Sequence, residues 1–329
     1  MEFKKKILAG AIAACLAPAA NAEIELGEGF SATGFIDMSY KTVDIDGALN
    51  TEDAFAIDQA EVDFLYTGTS GVSAQLDIEY GEDASGGSDT DTTFVEQAFI
   101  TKVIGESSFS VKAGRFLSYS GFESEEPTGL YQYSTVGYEV FFYGWYQQGV
   151  SGYYDGDKFQ FMASVVNSAF DPLDGSFYPP TTSTDPDVEL GVGFTPTENF
   201  TAKLFYIDEE EDEVMDLWAM YTMGDFTIGA EYITRDYGLG GFAGDGGEGE
   251  GYLLMANYAP GSVGFTVRYG AYEITDPTSM SLIDTDSITL AALLSVGDNL
   301  LVVPEYRIDT DNISNLDATT FAVELLFSF

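Results

Sequence analysis

Apolar and polar residues alternate along most of this chain, and this alternation constrains its fold more than any other feature. In VSAQLDIEY (72–80), Val72 and Leu76 lie on one face of an extended strand, whereas Asp77 and Glu79 lie on the other. The same period recurs from FSATGFIDMSYK near the N-terminus to FAVELLFSF at the C-terminus. A period of two indicates β-strands with one apolar and one polar face. No apolar stripe of helical period appears in the body of the chain, so the sequence predicts an all-β fold.

Sixteen segments carry this alternation, and turn-forming residues separate them. The predicted strands are residues 30–43, 55–67, 72–81, 93–103, 109–116, 138–154, 158–168, 187–196, 200–208, 213–223, 226–235, 251–259, 263–274, 286–296, 300–309 and 319–329. Their connections are alternately short and long. The short ones, such as TGTSG and APGS, carry the Gly, Pro and polar residues that form hairpin turns. An even number of strands places both ends of the sheet on the same side.

Aromatic residues mark the ends of the apolar faces. Tyrosines occupy the apolar phase near strand ends at Tyr40, Tyr66, Tyr80, Tyr206, Tyr232, Tyr258 and Tyr306. Aromatic belts at the two interfaces are typical of transmembrane barrels, although tyrosine is also common in soluble sheets. The alternation of short and long connections favours the membrane, because outer-membrane barrels have turns on one side and loops on the other. We therefore predict a transmembrane antiparallel β-barrel of about 16 strands, with short periplasmic turns and long extracellular loops.

The N-terminal segment has the pattern of a secretory signal. Three early lysines precede an apolar stretch that ends in the small-residue site ANA. A lipoprotein cleavage box ending at Cys15 is the alternative. We expect cleavage after Ala22, which makes residues 1–22 a signal peptide and residues 23–329 a single outer-membrane barrel domain.

The composition argues against several functions. The chain has no histidine, which excludes histidine-dependent nucleophile pairs and imidazole metal sites. It has 12 basic residues against 55 acidic ones, and phosphate binding needs basic patches. No stretch of about 18 apolar residues follows the signal, so no transmembrane helix is expected. We expect no enzymatic activity, no cofactor and no nucleic-acid partner.

If the apolar faces meet lipid, the polar faces line a lumen. A barrel of about sixteen strands is too wide for its side chains to fill and leaves an aqueous channel. Charged residues are tolerated there because they face water. The predicted pore-lining residues are Asp37, Glu61, Asp63, Asp77, Glu79, Lys112, Arg115, Arg235, Arg268 and Arg307. Arg115 shares the apolar phase of Val111, and we expect it to reach the pore only because it lies at a strand end.

Two segments of the chain resemble Gram-negative outer-membrane porins. The segment VEQAFITKVIGESSFSVKAGRFLSYSGFESEEPTG (95–129) carries Q-A on one strand, AGRF at the end of the next and GFE in the loop, and it resembles porins of the OmpL-like type. The terminal row of Leu325, Phe327 and Phe329 is similar to the signal that the barrel assembly machinery recognises. The architecture of residues 23–329 resembles the general sixteen-strand porins, but their Pro-Glu-Phe loop motif is missing.

The resemblance to general porins implies that the long loop 117–137 folds into the barrel and narrows it. Glu123, Glu125 and Glu126 lie on this loop. We expect them to oppose the three arginines, which come from alternate strands, and so to set up a transverse field across the lumen. The alternatives are that the loop stays outside as an acidic surface loop, and that each arginine pairs with an acid on its own strand.

Two acid-rich connections offer oxygen ligands to divalent cations. DIDGALNTED (44–53) surrounds a glycine with acids but lacks the complete EF-hand pattern, and DEEED (208–212) is similar in composition. Solvated surface loops explain both segments equally simply, so we predict no metal site there.

The sequence thus predicts an outer-membrane porin, a water-filled channel for passive diffusion of ions and small hydrophilic solutes. The acidic balance concentrates cations at its mouth, so we expect a cation preference. The alternatives are a sugar-selective channel that uses Tyr119, Tyr131, Tyr133 or Trp145 as stacking surfaces, and a structural or adhesion barrel. The expected partners are outer-membrane lipid and lipopolysaccharide, the barrel assembly machinery, small solutes and cations. The resemblance implies a homotrimer.

Overall fold

The computed structural model describes residues 23–47, 52–81, 92–123, 126–170, 186–209, 212–238 and 242–329. The predicted signal peptide, Glu125 and parts of the two acid-rich connections lie outside the described residues. In the described part of the chain, no helix has the length and apolar character needed to span a membrane.

Seventeen strands form one sheet. They are β1 (Ile24–Gly27), β2 (Phe30–Ile45), β3 (Glu52–Thr67), β4 (Val72–Gly81), β5 (Thr92–Val103), β6 (Phe109–Leu117), β7 (Tyr146–Asp155), β8 (Phe159–Val166), β9 (Asp187–Thr197), β10 (Phe200–Glu209), β11 (Asp212–Met223), β12 (Phe226–Tyr237), β13 (Gly247–Tyr258), β14 (Val263–Thr275), β15 (Ser281–Val296), β16 (Leu300–Asp311) and β17 (Leu316–Ser328). The helical elements are a 3₁₀ turn, Pro127–Gly129, and one α-helical turn, α1 (Glu139–Phe142).

The sheet closes into a barrel. Strands β2 to β17 pair antiparallel in sequence order, and β17 pairs with β2, with Phe321 opposite Thr42 and Phe327 opposite Ile36. Closure satisfies the backbone groups of both edge strands, which is what a sheet within lipid requires. The predicted sixteen-strand antiparallel barrel is therefore confirmed.

The strand β1 was not predicted, and it completes one end of the closure. The last residue, Phe329, exchanges two backbone hydrogen bonds of 2.9 Å with Gly34. Beyond that point, β1 pairs with the start of β2, with Ile24 opposite Ala32. The four-residue strand is too short to show a clear period of two, and so it gave no sequence signal.

The outer face of the barrel is apolar and ends in aromatic pairs at both rims. Near the short turns, the rings of Phe30 and Tyr66 lie 4.6 Å apart. Near the long loops, the rings of Tyr40 and Phe55 lie 4.7 Å apart. The outward residue Leu325 is exposed, as expected for a lipid-facing strand. Two aromatic belts bounding an apolar band are the expected exterior of a transmembrane barrel.

The sixth predicted strand differs most from the structure. Its predicted range, 138–154, begins eight residues too early, because β7 starts only at Tyr146. Residues 139–142 instead form α1, and both Phe142 and the preceding Tyr138 are buried. The apolar residues of this segment therefore belong to a short helical turn that packs against the barrel wall, and not to a lipid-facing strand.

Candidate pore constriction

The connection from β6 to β7, residues 118–145, runs inside the barrel, and we call it the inner loop. Inward side chains of β12 and β16 hold its backbone. The amide of Phe122 donates to Glu231 Oε1 on β12 at 2.7 Å. The amide of Tyr133 donates to Glu305 Oε2 on β16 at 2.9 Å. Because three strands separate β12 from β16 in the barrel, the inner loop covers one broad part of the wall and leaves the opposite part facing it.

An apolar core lies between the inner loop and this covered wall. Val136, Tyr138 and Phe142 of the loop pack against inward residues such as Ile233 and Leu253, and all five are buried. A polar inner face was predicted for every strand, and for the covered strands this prediction is wrong. Their inward positions can be apolar because the loop, not water, covers them.

Glycines on the wall make room for the loop. A Cβ atom added at Gly229 would lie 2.2 Å from Cζ of Phe122, and one at Gly270 would lie 2.3 Å from Cγ2 of Val136. Contacts this short do not occur in proteins, so the loop could not take this position against larger residues. Both glycines occupy inward positions of their strands, where a missing side chain leaves a groove for the loop.

Arg268 is the most deeply buried cation of the site. Its side chain is 0% exposed, and its Nη1 lies 2.6 Å from Glu123 Oε1 of the inner loop. The same guanidinium donates to the carbonyls of Ser134 and Thr135 at 2.6 Å and 2.8 Å, and to Thr289 Oγ1 at 3.0 Å. Arg268 therefore clamps the loop onto β14 and β15.

Arg307 and Arg235 continue this clamp along the loop. Arg307 pairs with Asp309 at 2.6 Å and donates to the carbonyl of Val136 at 3.1 Å. Arg235 pairs with Asp212 and donates to the carbonyl of Phe141 at 2.7 Å. All three arginines are inward, as predicted, but they touch the loop directly. The transverse field that was expected between free arginines and an opposed acidic loop is therefore not formed in this way.

Two acids that the alternation places on the inward face, without predicting a loop contact for them, also fix the loop. Glu231 accepts hydrogen bonds from the hydroxyls of Tyr138 at 2.6 Å and Tyr143 at 2.5 Å. Burial raises the pKa of Tyr138 well above its ordinary value, so its phenol keeps the proton that it donates. Glu189 of β9 accepts from Ser118 Oγ at 2.5 Å. The alternation of the sequence places both glutamates on the inward face, but this placement alone does not identify a contact with the loop.

The wall opposite the clamp is acidic. We call Asp37, Glu61, Asp63, Asp77 and Glu79 the acidic wall. Its members lie on the inward faces of β2, β3 and β4, where they were predicted. Within the described residues, Asp37, Glu61, Asp63 and Asp77 form no ion pair. The free side of the lumen is therefore negative, whereas the arginines are covered by the loop.

The two remaining cations predicted to line the pore, Lys112 and Arg115, lie on different faces of the barrel wall. Lys112 is inward, and its Nζ lies 4.6 Å from the ring centre of Phe99 and 5.1 Å from that of Tyr119. Arg115 pairs in register with Ala98, which pairs with the exposed Leu76 on the outer face. The expectation that Arg115 reaches the pore is therefore wrong: its Nε donates to the carbonyl of Glu96 instead. The strand β6 continues to Leu117, and its pairing with β5 keeps Arg115 in the outward phase.

Of the predicted aromatic stacking surfaces, two are already engaged. Tyr131 is buried and its hydroxyl lies 3.7 Å from Met220 Sδ, while the hydroxyl of Tyr133 donates to Ser39 Oγ at 3.0 Å. Tyr119 keeps a partly exposed ring that stacks on Tyr153 with centroids 6.2 Å apart. The loop acid Glu126 lies next to the acidic wall, with a carboxylate oxygen within 4.8 Å of one from Glu61.

A closed barrel with an inner loop and a charged lumen defines an outer-membrane channel. Comparisons with known proteins agree: the family model for Gram-negative porins matches residues 9–312, and the chain belongs to this family. No curated protein sequence matches it. The protein is therefore an outer-membrane porin.

Solved porin structures share its fold. An anion-selective porin from Comamonas acidovorans aligns with a TM-score of 0.68 at 13% identity, covering 91% of this chain and 99% of that one. The trimer form of OmpT, an outer membrane protein of Vibrio cholerae, aligns with a TM-score of 0.64 at 13% identity, covering 92% of this chain and 100% of the other. A mutant of the Rh. blastica porin aligns with a TM-score of 0.60 at 16% identity, covering 91% and 100%. At these identities the likeness concerns the fold alone.

Proposed function

We propose that this porin conducts ions and small hydrophilic solutes by passive diffusion, with a preference for cations. One observation carries the preference. The arginines of the covered wall are engaged by the inner loop, whereas Asp37, Glu61, Asp63 and Asp77 face the free side without ion pairs among the described residues. Rings or rows of carboxylates select for cations because they raise the local cation concentration.

The overall charge acts in the same direction. The chain carries a net charge of −43, so its long loops raise the cation concentration at the mouth as well. Exposed charges are screened over about 10 Å at 0.1 M salt, whereas charges in a narrow lumen are screened less. The acidic wall should therefore dominate selectivity at high salt, and the loops should add to it at low salt.

A sugar-selective channel is the second candidate. The stacked rings of Tyr119 and Tyr153 support it, because they line the lumen beside Lys112 and could hold a sugar ring by its apolar face. Added sugar should then block the single-channel current in a concentration-dependent way, and Tyr119→Ala should abolish the block. A purely diffusive pore shows no such block.

The acidic wall can be tested by substitution. The double variant Asp37→Asn, Asp77→Asn should show a lower ratio of K⁺ to Cl⁻ permeability in planar bilayers than the unmodified protein. Glu248→Gln is the matched control, since Glu248 is an exposed acid on β13. Equal permeability ratios in the double variant and the control would contradict the proposed role of the acidic wall.

The remaining assignments follow from the family and the sequence. We propose that residues 1–22 are removed on export, which N-terminal sequencing of the mature protein tests directly. Leu325, Phe327 and Phe329 would be read by the barrel assembly machinery, and lipopolysaccharide would contact the outer rim. A homotrimer is supported by the resemblance to general porins and by the trimeric OmpT, and native mass spectrometry in detergent tests it. We propose no catalytic activity.

A further inference from the structure

Carboxylates meet face to face on the inner surface of β3 and β4. The register places Asp63 directly opposite Asp77 and Glu61 directly opposite Glu79. Like charges in directly opposed positions of an antiparallel pair destabilise a sheet. Two such pairs on the same face therefore point to a positive group between the strands and the lumen.

A β-bulge adds a further carboxylate to this place. On β5, Gln97 pairs with Asp77 and Val95 pairs with Ile78, which leaves Glu96 as an extra residue. Without the bulge, Glu96 would share a face with the exposed Ile100 and point towards lipid. The bulge instead turns Glu96 inward, where it is 2% exposed. Bulges commonly re-aim a side chain next to a functional site.

The carboxylates come close enough to share one ion. Oxygen atoms of Glu61, Glu96 and Glu126 all lie within 4.8 Å of one another, and so do oxygen atoms of Glu61, Asp63 and Asp77. Glu61 belongs to both groups. Glu126 comes from the inner loop, whereas the other four come from the barrel wall, so the cluster joins the loop to the wall opposite its arginine clamp.

Several of these buried oxygens have no hydrogen-bond partner. They are Glu61 Oε2, Asp77 Oδ1 and Glu96 Oε2, on residues that are 4%, 0% and 2% exposed. A buried carboxylate oxygen without a donor is strongly disfavoured unless a cation or a proton neutralises it. The three carboxylates are all members of the cluster, and their orphaned oxygens point to a missing positive ligand.

Neighbouring amides and hydroxyls orient the carboxylates for such a ligand. Gln75 Nε2 and Gln97 Nε2 both donate to Asp77 Oδ2 at 2.8 Å and leave Oδ1 free. Thr33 Oγ1 donates to Asp63 Oδ2 at 2.8 Å. Donors that hold the second oxygen of a ligating carboxylate are a regular feature of metal sites, because they orient the ligand.

Among the described residues, no basic side chain forms an ion pair with a carboxylate of the cluster. The nearby guanidinium of Arg115 donates from Nε to the backbone carbonyl of Glu96 and not to its carboxylate. The three ion pairs of the described residues lie on other strands, at Arg235 of β12, Arg268 of β14 and Arg307 of β16.

We propose that Glu61, Glu96 and Glu126 form a binding site for Ca²⁺, with Asp63 and Asp77 as adjoining ligands. Ca²⁺ takes six to eight oxygens at roughly 2.3–2.6 Å, so two ligands on opposite sides of the ion stand about 4.6–5.2 Å apart. Mutual separations within 4.8 Å fit that span. Mg²⁺ demands octahedral geometry and keeps several of its waters, so a cluster of several carboxylates suits it less well than Ca²⁺.

The space beside the cluster accommodates a partly hydrated ion. A cavity of about 150 Å³ is lined by Glu61, Asp63, Asp77 and Glu126, together with Gln75 and Gln97. One water needs roughly 10–15 Å³ of such volume, so the cavity holds several waters that complete the coordination. The bound ion ties Glu126 of the inner loop to the wall and makes the lumen less negative.

Calcium titration of the purified, refolded protein tests the site without reference to conduction. Isothermal titration with CaCl₂ should show saturable binding to one strong site per chain. Glu61→Gln and Glu126→Gln should each weaken that binding at least tenfold, while the exposed-acid control Glu248→Gln should leave it unchanged. MgCl₂ should bind more weakly to the unmodified protein.

Heat-modifiable mobility on gels shows whether each variant has folded as a barrel. If Glu61→Gln does not refold, Glu126→Gln decides the matter, because its side chain lies on the loop and not in the wall. Absence of saturable Ca²⁺ binding, or equal affinity in Glu126→Gln and the control, would overturn the proposal and leave shared protons as the means of neutralisation. Both readouts measure Ca²⁺ binding and not conduction, so a failure of this proposal is distinguishable from a failure of the proposed cation preference.

Discussion

Replacing Arg268 with methionine should detach the inner loop from the barrel wall. The guanidinium of Arg268 is fully buried and joins Glu123 to the carbonyls of Ser134 and Thr135. Methionine fills most of the volume but supplies no donor. The variant leaves the carboxylate of Glu123 buried without its cation, together with two loop carbonyls that lose their charged donor.

The structure sets the size of the effect. Removing one partner of a buried ion pair costs about 3–5 kcal/mol, because the other charge stays desolvated. Glu123→Gln keeps the volume and leaves Arg268 its hydrogen bonds to the two loop carbonyls, so it costs less, roughly 1.5–3 kcal/mol, the range for a hydrogen bond to a charged group. In the double variant the penalty for an unpaired charge disappears. The two changes should therefore combine to about 2–3 kcal/mol less than the sum of the single changes.

Equilibrium unfolding in urea with lipid vesicles gives these free energies. Trp218 is a suitable probe because its indole is buried and makes an edge contact with Phe122 of the loop at 5.8 Å. Arg115→Met is the control, since Arg115 lies on the outer face and does not contact the loop. Strictly additive effects of Glu123→Gln and Arg268→Met would refute the clamp. So would an unchanged Trp218 emission in folded Arg268→Met.

Two further changes test the loop and the closure, and a third result follows from the proposed ion. Gly270→Val should overpack the contact with Val136 and destabilise the barrel by about 1–3 kcal/mol. Because the loop is then held less tightly, single-channel conductance should rise, and unchanged conductance would contradict this packing. Deleting Phe329 removes two backbone hydrogen bonds to Gly34 and should reduce the amount of folded barrel in the outer membrane. Heat-modifiable mobility of membrane fractions measures this amount, and a normal amount would contradict the role of Phe329 in barrel closure and assembly. Chelating Ca²⁺ should increase cation selectivity in the unmodified protein but not in Glu126→Gln, as reversal potentials in paired bilayers can show.

The strand pattern was predictable because each strand faces lipid on one side and the interior on the other. Each strand therefore carries its own signal, and β4, β6 and β10 differ from their predicted ranges by no more than a residue at either end. Inward acids such as Asp77 followed from the same alternation. Glu96 was a weaker case, since it shares the phase of the outward Ile100, and it is a bulge that turns it inward.

The path of the inner loop could not be predicted in the same way. The contact between Glu123 and Arg268 joins residues 145 positions apart, and no local period encodes it. The segment around Phe142 alternates as a strand would, but its rings pack on the wall beneath the loop. The inward glycines Gly229 and Gly270 were a visible signal, since a lumen-facing position without a side chain suits a covering loop.

The reversal potential of the reconstituted protein in a KCl gradient tests the central claim most directly. A tenfold gradient gives about 59 mV for an ideally cation-selective pore and the opposite sign for an ideally anion-selective one. Because Asp37, Asp63 and Asp77 form no ion pair among the described residues while the arginines are held by the inner loop, we expect the sign of a cation-selective pore. That sign should persist at high salt, where the outer loops are screened. A reversal potential of the opposite sign, or one near zero, would contradict the account.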